Sequence, residues 1–422
     1  VVGRGSEERV LSEPEIYEIV SEGTPAARIE GKRVLVLTPD GTRTAPLPTM
    51  VRIIDTLFRE RVKKLDYMVA LGSHRVLSQD ETLSLFGISR RESANRFASS
   101  SFFNHRWDIP GSLIEIGRID SHTAAQITEG MLEEEIPVEI NRKVFEYDLI
   151  IILGPVFPHE VMGFSGGFKY LFPGISGGRF LHLFHWLGAL NTCIKTIGRK
   201  DTPTRRIVQQ AAGLLTVPLH CISMVVGRKG ALAGLYVGDT EEAWAAAVEL
   251  SARIHIFHKA QPFPMVVGKA SAMYDELWTA GKVMYKLEPV VEDGGKLIIY
   301  GNGIKTVSHT WGSFLERIGY HVRDYYLAQM DKFRDVPRAV LAHSTHVKGL
   351  GSFVNGREKA RIDVVLATGI SERMCERINL GYMNPADVPI EEYRNRSEAF
   401  ANRGILYVEE AGEVLYRLRR DQ

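Results

Sequence analysis

The chain has 422 residues, 45% of them hydrophobic and 24% charged, with a formal net charge of +1. That length holds two or three domains at roughly 100 to 200 residues each, and the near-neutral charge gives no field for gripping nucleic acid. Cys193, Cys221 and Cys375 stand singly, without disulfide or zinc spacing, and no run approaches the ~18 apolar residues of a membrane span, so a soluble cytoplasmic protein is expected, touching neither nucleic acid nor membrane.

In chain order, short β-branched runs alternate with helical stretches: RVLVLT (33–38), DYMVAL (66–71), DLIIIL (148–153), PMVV (264–267), KLIIY (296–300), RAVLA (338–342) and DVVLA (363–367). Nearly continuous apolar strands separated by helices predict an α/β fold whose mostly parallel sheets are covered on both faces. The loops PDGTR, GSHR and GPVFPHE follow the first three strands, and ligands of open parallel sheets sit beyond the carboxyl ends of strands. A helix is expected over 241–260 and a turn at 292–296. An N-terminal domain over 1–275 and a C-terminal α/β domain over 276–399 follow, with the site in the cleft between them. The tail 400–422 reads as a hairpin that packs back on the first domain.

The chemistry-bearing residues cluster. Between His159 and Trp186 lie Gly163, Gly166, Gly167, Gly174, Gly177 and Gly178 around a single Lys169. Such density lets backbone approach a ligand and presents N–H groups to anions, while a lysine there pairs with phosphate or acts as a nucleophilic amine. The stretch fits neither the P-loop nor the dinucleotide fingerprint, and a plain surface loop stays open beside it. Downstream, His182 and His185 share one helix face at a spacing that suits a metal without choosing which. His74 and His159 each follow a strand, as paired proton-transfer groups would, although each taken singly reads as a loop histidine. Asp40, Thr42 and Arg43 form a polar cluster in which the arginine could clamp a carboxylate.

Together, DGTR with Pro46, LGSHR, and HEVMGFSGGFKYLFPGISG resemble the motifs of the lactate racemase family over most of residues 30–300. The resemblance implies a nickel(II) pyridinium-3,5-bisthiocarboxylic acid mononucleotide, the nickel-pincer nucleotide, tethered through Lys169, with Asp40, Thr42, Gly166 and Gly167 beside it and His185 as nickel ligand. It further implies His74 and His159 as acid and base. In LWTAGK it places Lys282 at the substrate with Arg43, and Trp278 and Thr279 at its border. Proteins that assemble the cofactor are implied as partners; a homo-oligomer stays open.

Thr279 stands where lactate-specific members carry glutamine, and Trp278 where they carry tyrosine, which turns the expectation toward a C2 epimerase of an aldonate such as gluconate or mannonate. AHSTHVKG, read as following a strand, offers His343, Ser344, His346 and Lys348 to a sugar-acid chain, or else is a solvated loop. The alternatives are a racemase of a small hydroxyacid such as lactate or malate, and a non-catalytic nickel or nucleotide carrier. A zinc hydrolase on His182 and His185 lacks the glutamate of an HExxH helix.

Overall fold

The computed structural model describes residues 1–419 apart from Ser73. The chain divides into two compact units, one of residues 1–157, 164–181 and 203–254, the other of 158–163, 182–202 and 255–422. It therefore passes between units several times, where a single junction near residue 275 was expected.

Among the described residues, the first unit is built on a seven-stranded sheet ordered Val2–Gly5, Leu232–Gly238, Leu219–Val226, Leu149–Pro155, Arg33–Thr38, Lys64–Val69, Phe102–Asn104. The five strands from Leu219–Val226 to Phe102–Asn104 run parallel. Both faces of the central strands are covered, which is why Val34, Leu35, Val36 and Leu37 are all fully buried with no polar alternation. The helix Leu47–Phe58 shows how the cover forms. Leu47, Met50, Val51, Ile54, Leu57 and Phe58 recur at the three- and four-residue steps that line one helix face, and that face packs in one core with Val34, Val36 and Tyr67. Strand order reverses beside Arg33–Thr38: the chain proceeds to Lys64–Val69 on one side and later returns to Leu149–Pro155 on the other. At such a switch point the flanking loops part and leave a crevice.

The second unit carries a parallel sheet ordered Gly381–Tyr382, Asp363–Thr368, Val291–Gly301, Phe263–Ala270, Ile405–Ala411. On one face Val267, Ile298, Val365 and Ala367 pack with Tyr393, Phe400 and Tyr407. The helix Leu277–Leu287 is buried along its whole length, Lys282 and Lys286 included. Lys286 is accommodated because its Nζ donates to the carbonyls of Gly412 and Glu413 at 2.7 and 3.0 Å.

Three expectations are corrected. RAVLA lies in the helix Arg338–Lys348, whose residues from Ala339 to Val347 are all buried; a helix buried on every side lacks the amphipathic period that separates it from a strand, and its apolar first turn reads as a short strand. Among the described residues the tail forms no hairpin ladder and joins the second unit, Ile405–Ala411 pairing with Phe263–Ala270 and Leu415–Leu418 with Ile256–Lys259. The helix expected to reach residue 260 ends at His255, after which Ile256–Lys259 is extended.

Candidate active site

In the first unit the strands Arg33–Thr38 and Lys64–Val69 end level, Thr38 opposite Val69. The loops that follow therefore leave the sheet side by side. Asp40, only 6% exposed, occupies the first loop. Its Oδ1 accepts hydrogen bonds from Thr42 N–H at 3.1 Å and Thr42 Oγ1 at 2.8 Å, and its Oδ2 meets His74 Nδ1. A carboxylate only accepts, so His74 carries a proton on Nδ1, and in the neutral form of such a ring the lone pair lies on Nε2. That is the form a base needs. Asp40 and Thr42 of the expected cluster thus form one hydrogen-bonded unit with His74 at the switch point.

The glycine-rich turn is fixed onto the neighbouring strand through Ser165. The Ser165 N–H donates to Phe157 O at 2.8 Å, and its Oγ donates to Pro155 O at 3.1 Å while accepting Phe157 N–H at 2.9 Å. Its carbonyl accepts Trp244 Nε1–H at 2.9 Å. Gly166 then takes φ +87°, a conformation that costs a side chain, and a Cβ there would lie 2.8 Å from Val156 Cγ2. Gly167–Tyr170 closes as a short 3₁₀ turn carrying half-buried Lys169. Gly174 N–H donates to Lys169 O at 3.0 Å and Gly72 N–H to Gly174 O at 3.1 Å, linking the lysine's backbone to the loop of His74.

Glycine density here has a packing cause as well as the ligand-approach cause read from sequence. The would-be Cβ atoms of Gly166 and Gly167 face Trp244, and that of Gly154 would fall 2.2 Å from the Tyr170 ring. Tyr170, which the sequence reading passed over, is buried and feels both Asp40 and Arg43; burial drives its phenol up, Asp40 adding and Arg43 opposing. Arg43 and Asp40 therefore share Tyr170's surroundings at the sheet's carboxyl edge.

His105 and Asn141 were also missed, since neither lies in a motif. His105 Nε2 donates to Ser176 O at 3.0 Å while its Nδ1 accepts from Asn141 Nδ2 at 3.0 Å, and Asn141 N–H donates to Ile175 O at 2.9 Å. Together they hold the segment after the lysine turn.

The second unit holds the other expected residues. His159 is 3% exposed and faces Phe184 edge-on, ring centroids 6.5 Å apart; His185, half-buried on the helix Gly178–Asn191, meets the same Phe184 at 5.1 Å. His182, on that helix, contacts Trp311 at 5.8 Å, and burial lowers its pKa. Trp278, Thr279 and Lys282 follow one another on Leu277–Leu287, all buried. Lys282 Nζ lies 4.9 Å from the Tyr274 ring centroid, a cation–π arrangement, and Thr279 Oγ1 donates to Glu276 O at 3.2 Å.

The AHSTHVKG segment is turned inward. His343 stacks on Trp278 at 4.2 Å with its Nε2 at 3.1 Å from Trp278 O, and Ser344 Oγ donates to Gly319 O at 2.9 Å. His343 and His346 are fully engulfed, and burial depresses their pKa values to about 3 and about 4. Both stay neutral at physiological pH, and neither lies on the solvated loop that was one of the two expectations.

Among the described residues no three histidine, cysteine, aspartate or glutamate side chains gather to hold a bare metal ion. A metal at His185 would draw its remaining donors from elsewhere, as a metal carried in an organic chelate does. An amine at Lys169 on a turn of close-packed glycines suits a tethered group. These residue types fit the implied cofactor.

Residues 8–196 match the lactate racemase N-terminal domain. Over 276 residues the chain is 23% identical to the lactate racemase of Thermoanaerobacterium thermosaccharolyticum, a match covering 64% of this chain and 60% of that protein's length. The crystal structure of a Thermotoga maritima protein superposes with a TM-score of 0.87 at 32% identity, covering 99% of this chain and all of the other. The lactate racemase apoprotein of T. thermosaccharolyticum superposes at 0.73 with 19% identity, over 99% and 94% of the two chains. The Asp40, His74 and Lys169 loops lie within the part of this α/β chain that matches the lactate racemase N-terminal domain. Through residues 8–196 the chain carries the N-terminal domain of the lactate racemase family. No helix among the described residues is long and apolar enough to cross a membrane.

Proposed function

We propose that the protein is an isomerase that inverts C2 of an α-hydroxyacid with a nickel-pincer nucleotide held by Lys169 and His185. The observation that carries this is the Asp40–His74 pair at the switch point, linked through Gly72 and Gly174 to the turn of Lys169. A carrier without catalysis has no use for a histidine oriented as a base. The cofactor, when bound, supplies a reversible hydride acceptor, which avoids a carbanion beside an ionised carboxylate. The protein's own part is to bind, orient and move the hydroxyl proton. His74 and His159 each exchange that proton for one configuration, and Arg43 and Lys282 hold the carboxylate.

Between substrate classes, Thr279 favours a larger acid than lactate, in the first place an aldonate of the gluconate and mannonate type. Its hydroxyl already bonds its own helix, so it contributes room more than recognition. Ser344 Oγ is already engaged with Gly319 O and adds no hydrogen bond for a sugar-acid chain. A small-hydroxyacid racemase is therefore the second reading. The protein is produced with the cofactor-assembly proteins and incubated separately with gluconate, mannonate and single enantiomers of lactate and malate, and the products are resolved chirally. Inversion of an aldonate is expected. Turnover of lactate alone overturns the substrate choice, and no inversion of any acid by protein of proven nickel content overturns the function. Intact mass after denaturation reads the tether on Lys169 independently.

A further inference from the structure

The two histidines assigned to proton transfer are held in opposite ways. His74 donates its Nδ1 proton to Asp40, whereas His159 Nδ1 accepts a hydrogen bond from Val161 N–H at 3.1 Å. In a neutral ring the His159 proton therefore sits on Nε2, and an Nε2 that carries its proton can donate but has no lone pair with which to act as a base. The carboxylate of the adjoining residue lies beside the same nitrogen: Glu160 Oε2 is 3.5 Å from His159 Nδ1. The two side chains are 4% and 13% exposed, so water screens their interaction weakly.

We propose that Glu160 is the positioning residue of His159. It accepts the Nδ1 proton whenever the ring carries one there, and so turns Nε2 from donor into base, as Asp40 does permanently for His74. In the exchange one proton leaves Nε2, one is taken up at Nδ1, and the contact from Val161 N–H gives way to Nδ1–H···Oε2 without change of charge. When Nε2 then receives the substrate's hydroxyl proton, the imidazolium keeps that contact and the carboxylate balances its charge. The inference rests on the acid/base role proposed above for His159.

Three titratable groups on other elements feel the charge of Glu160: His343 and His346 of the helix Arg338–Lys348 and the Cys193 thiol. Burial keeps both imidazoles neutral and pushes the thiol up, so none of the three supplies a compensating positive charge. His185 acts on His343, and Lys286 acts on Cys193 from the helix Leu277–Leu287.

The test is nitrogen-15 NMR of histidine-labelled full-length protein, with His159→Gln assigning the resonance, in the parent and in Glu160→Gln and Glu160→Asp. Glu160→Gln is expected to lower the pH of half-protonation of His159 by about 1, a tenfold loss of proton affinity, and to shift its neutral form toward Nε2–H. Glu160→Asp restores much of both. In turnover, Glu160→Gln moves the acid limb of the kcat/KM profile down by the same amount and lowers kcat with little change in KM. An unchanged titration and tautomer ratio in folded Glu160→Gln overturns the proposal. Shifted spectra without turnover of any hydroxyacid by the parent leave the coupling standing and remove the functional reading.

Discussion

Asp40 sets its Oδ2 against His74 Nδ1 while Thr42 holds its Oδ1. Replacing it by asparagine puts an amide N–H within reach of His74 Nδ1 and favours the opposite tautomer, so kcat is expected to fall by ~10² to 10⁴ with KM little changed. Thr42→Val removes one of the two donors on Oδ1 and should cost far less, on the order of tenfold. Steady-state kinetics of the two variants side by side check the ranking. His105 carries a prediction about pH. Burial lowers its pKa to about 4 from the usual 6.5, the hydrogen bond to Ser176 O opposing. The unfolded chain then binds more protons between these values, and stability falls as pH drops from 6.5 to about 4, by ~3 kcal/mol for this group. Urea unfolding at pH 7 and pH 4.5 should show a smaller acid loss in His105→Gln than in the parent; equal losses would remove His105 as the cause.

At the scale of elements, the turn of Lys169 depends on Trp244 of the helix Thr240–His255. Trp244→Phe keeps the packing but leaves the buried Ser165 carbonyl without its donor, a loss of about 1 to 3 kcal/mol by denaturant unfolding. Gly154→Ala drives a methyl into the Tyr170 ring, and the repacking should cost about 1 to 3 kcal/mol and displace the adjoining lysine. What was legible at this scale followed the strength of the local pattern. Strands such as RVLVLT and DLIIIL declared themselves because a doubly covered strand is apolar throughout. RAVLA did not, because a helix buried on all sides looks the same over five residues. The contact of Asp40 with His74 joins residues 34 apart, and only the level pairing of Thr38 with Val69 brings them together. Nothing local encodes that register. The motifs name the candidate chemistry-bearing residues, whereas their supports, Tyr170, His105, Asn141 and Trp244, lie where side-chain type alone carries no signal.

For the molecule as a whole, the partition of the chain matters more than its length. Cys193 and Ile197 pack with Tyr285 and Leu415 in the second unit, and Leu190 O accepts Arg323 there at 2.9 Å. A fragment of residues 255–422 lacks those segments and should show no cooperative unfolding by circular dichroism, while co-production with 1–254 restores it. A cooperative transition in the isolated fragment would contradict this. The domain boundaries escaped the sequence reading because the crossings at 157/158, 163/164 and 181/182 fall in or beside the glycine-rich stretch read as a site, and that at 254/255 falls inside the helix Thr240–His255.

That partition also bears on how such a protein can diversify. His159 and His185 flank Lys169 in the chain, yet both belong to the unit made chiefly of residues 255–422. A gene fusion at residue 255 would give a descendant a new carboxyl-terminal module in which neither histidine finds its packing partners. New substrates should therefore arise in this lineage by substitutions at positions such as Trp278 and Thr279, and seldom by exchange of whole modules.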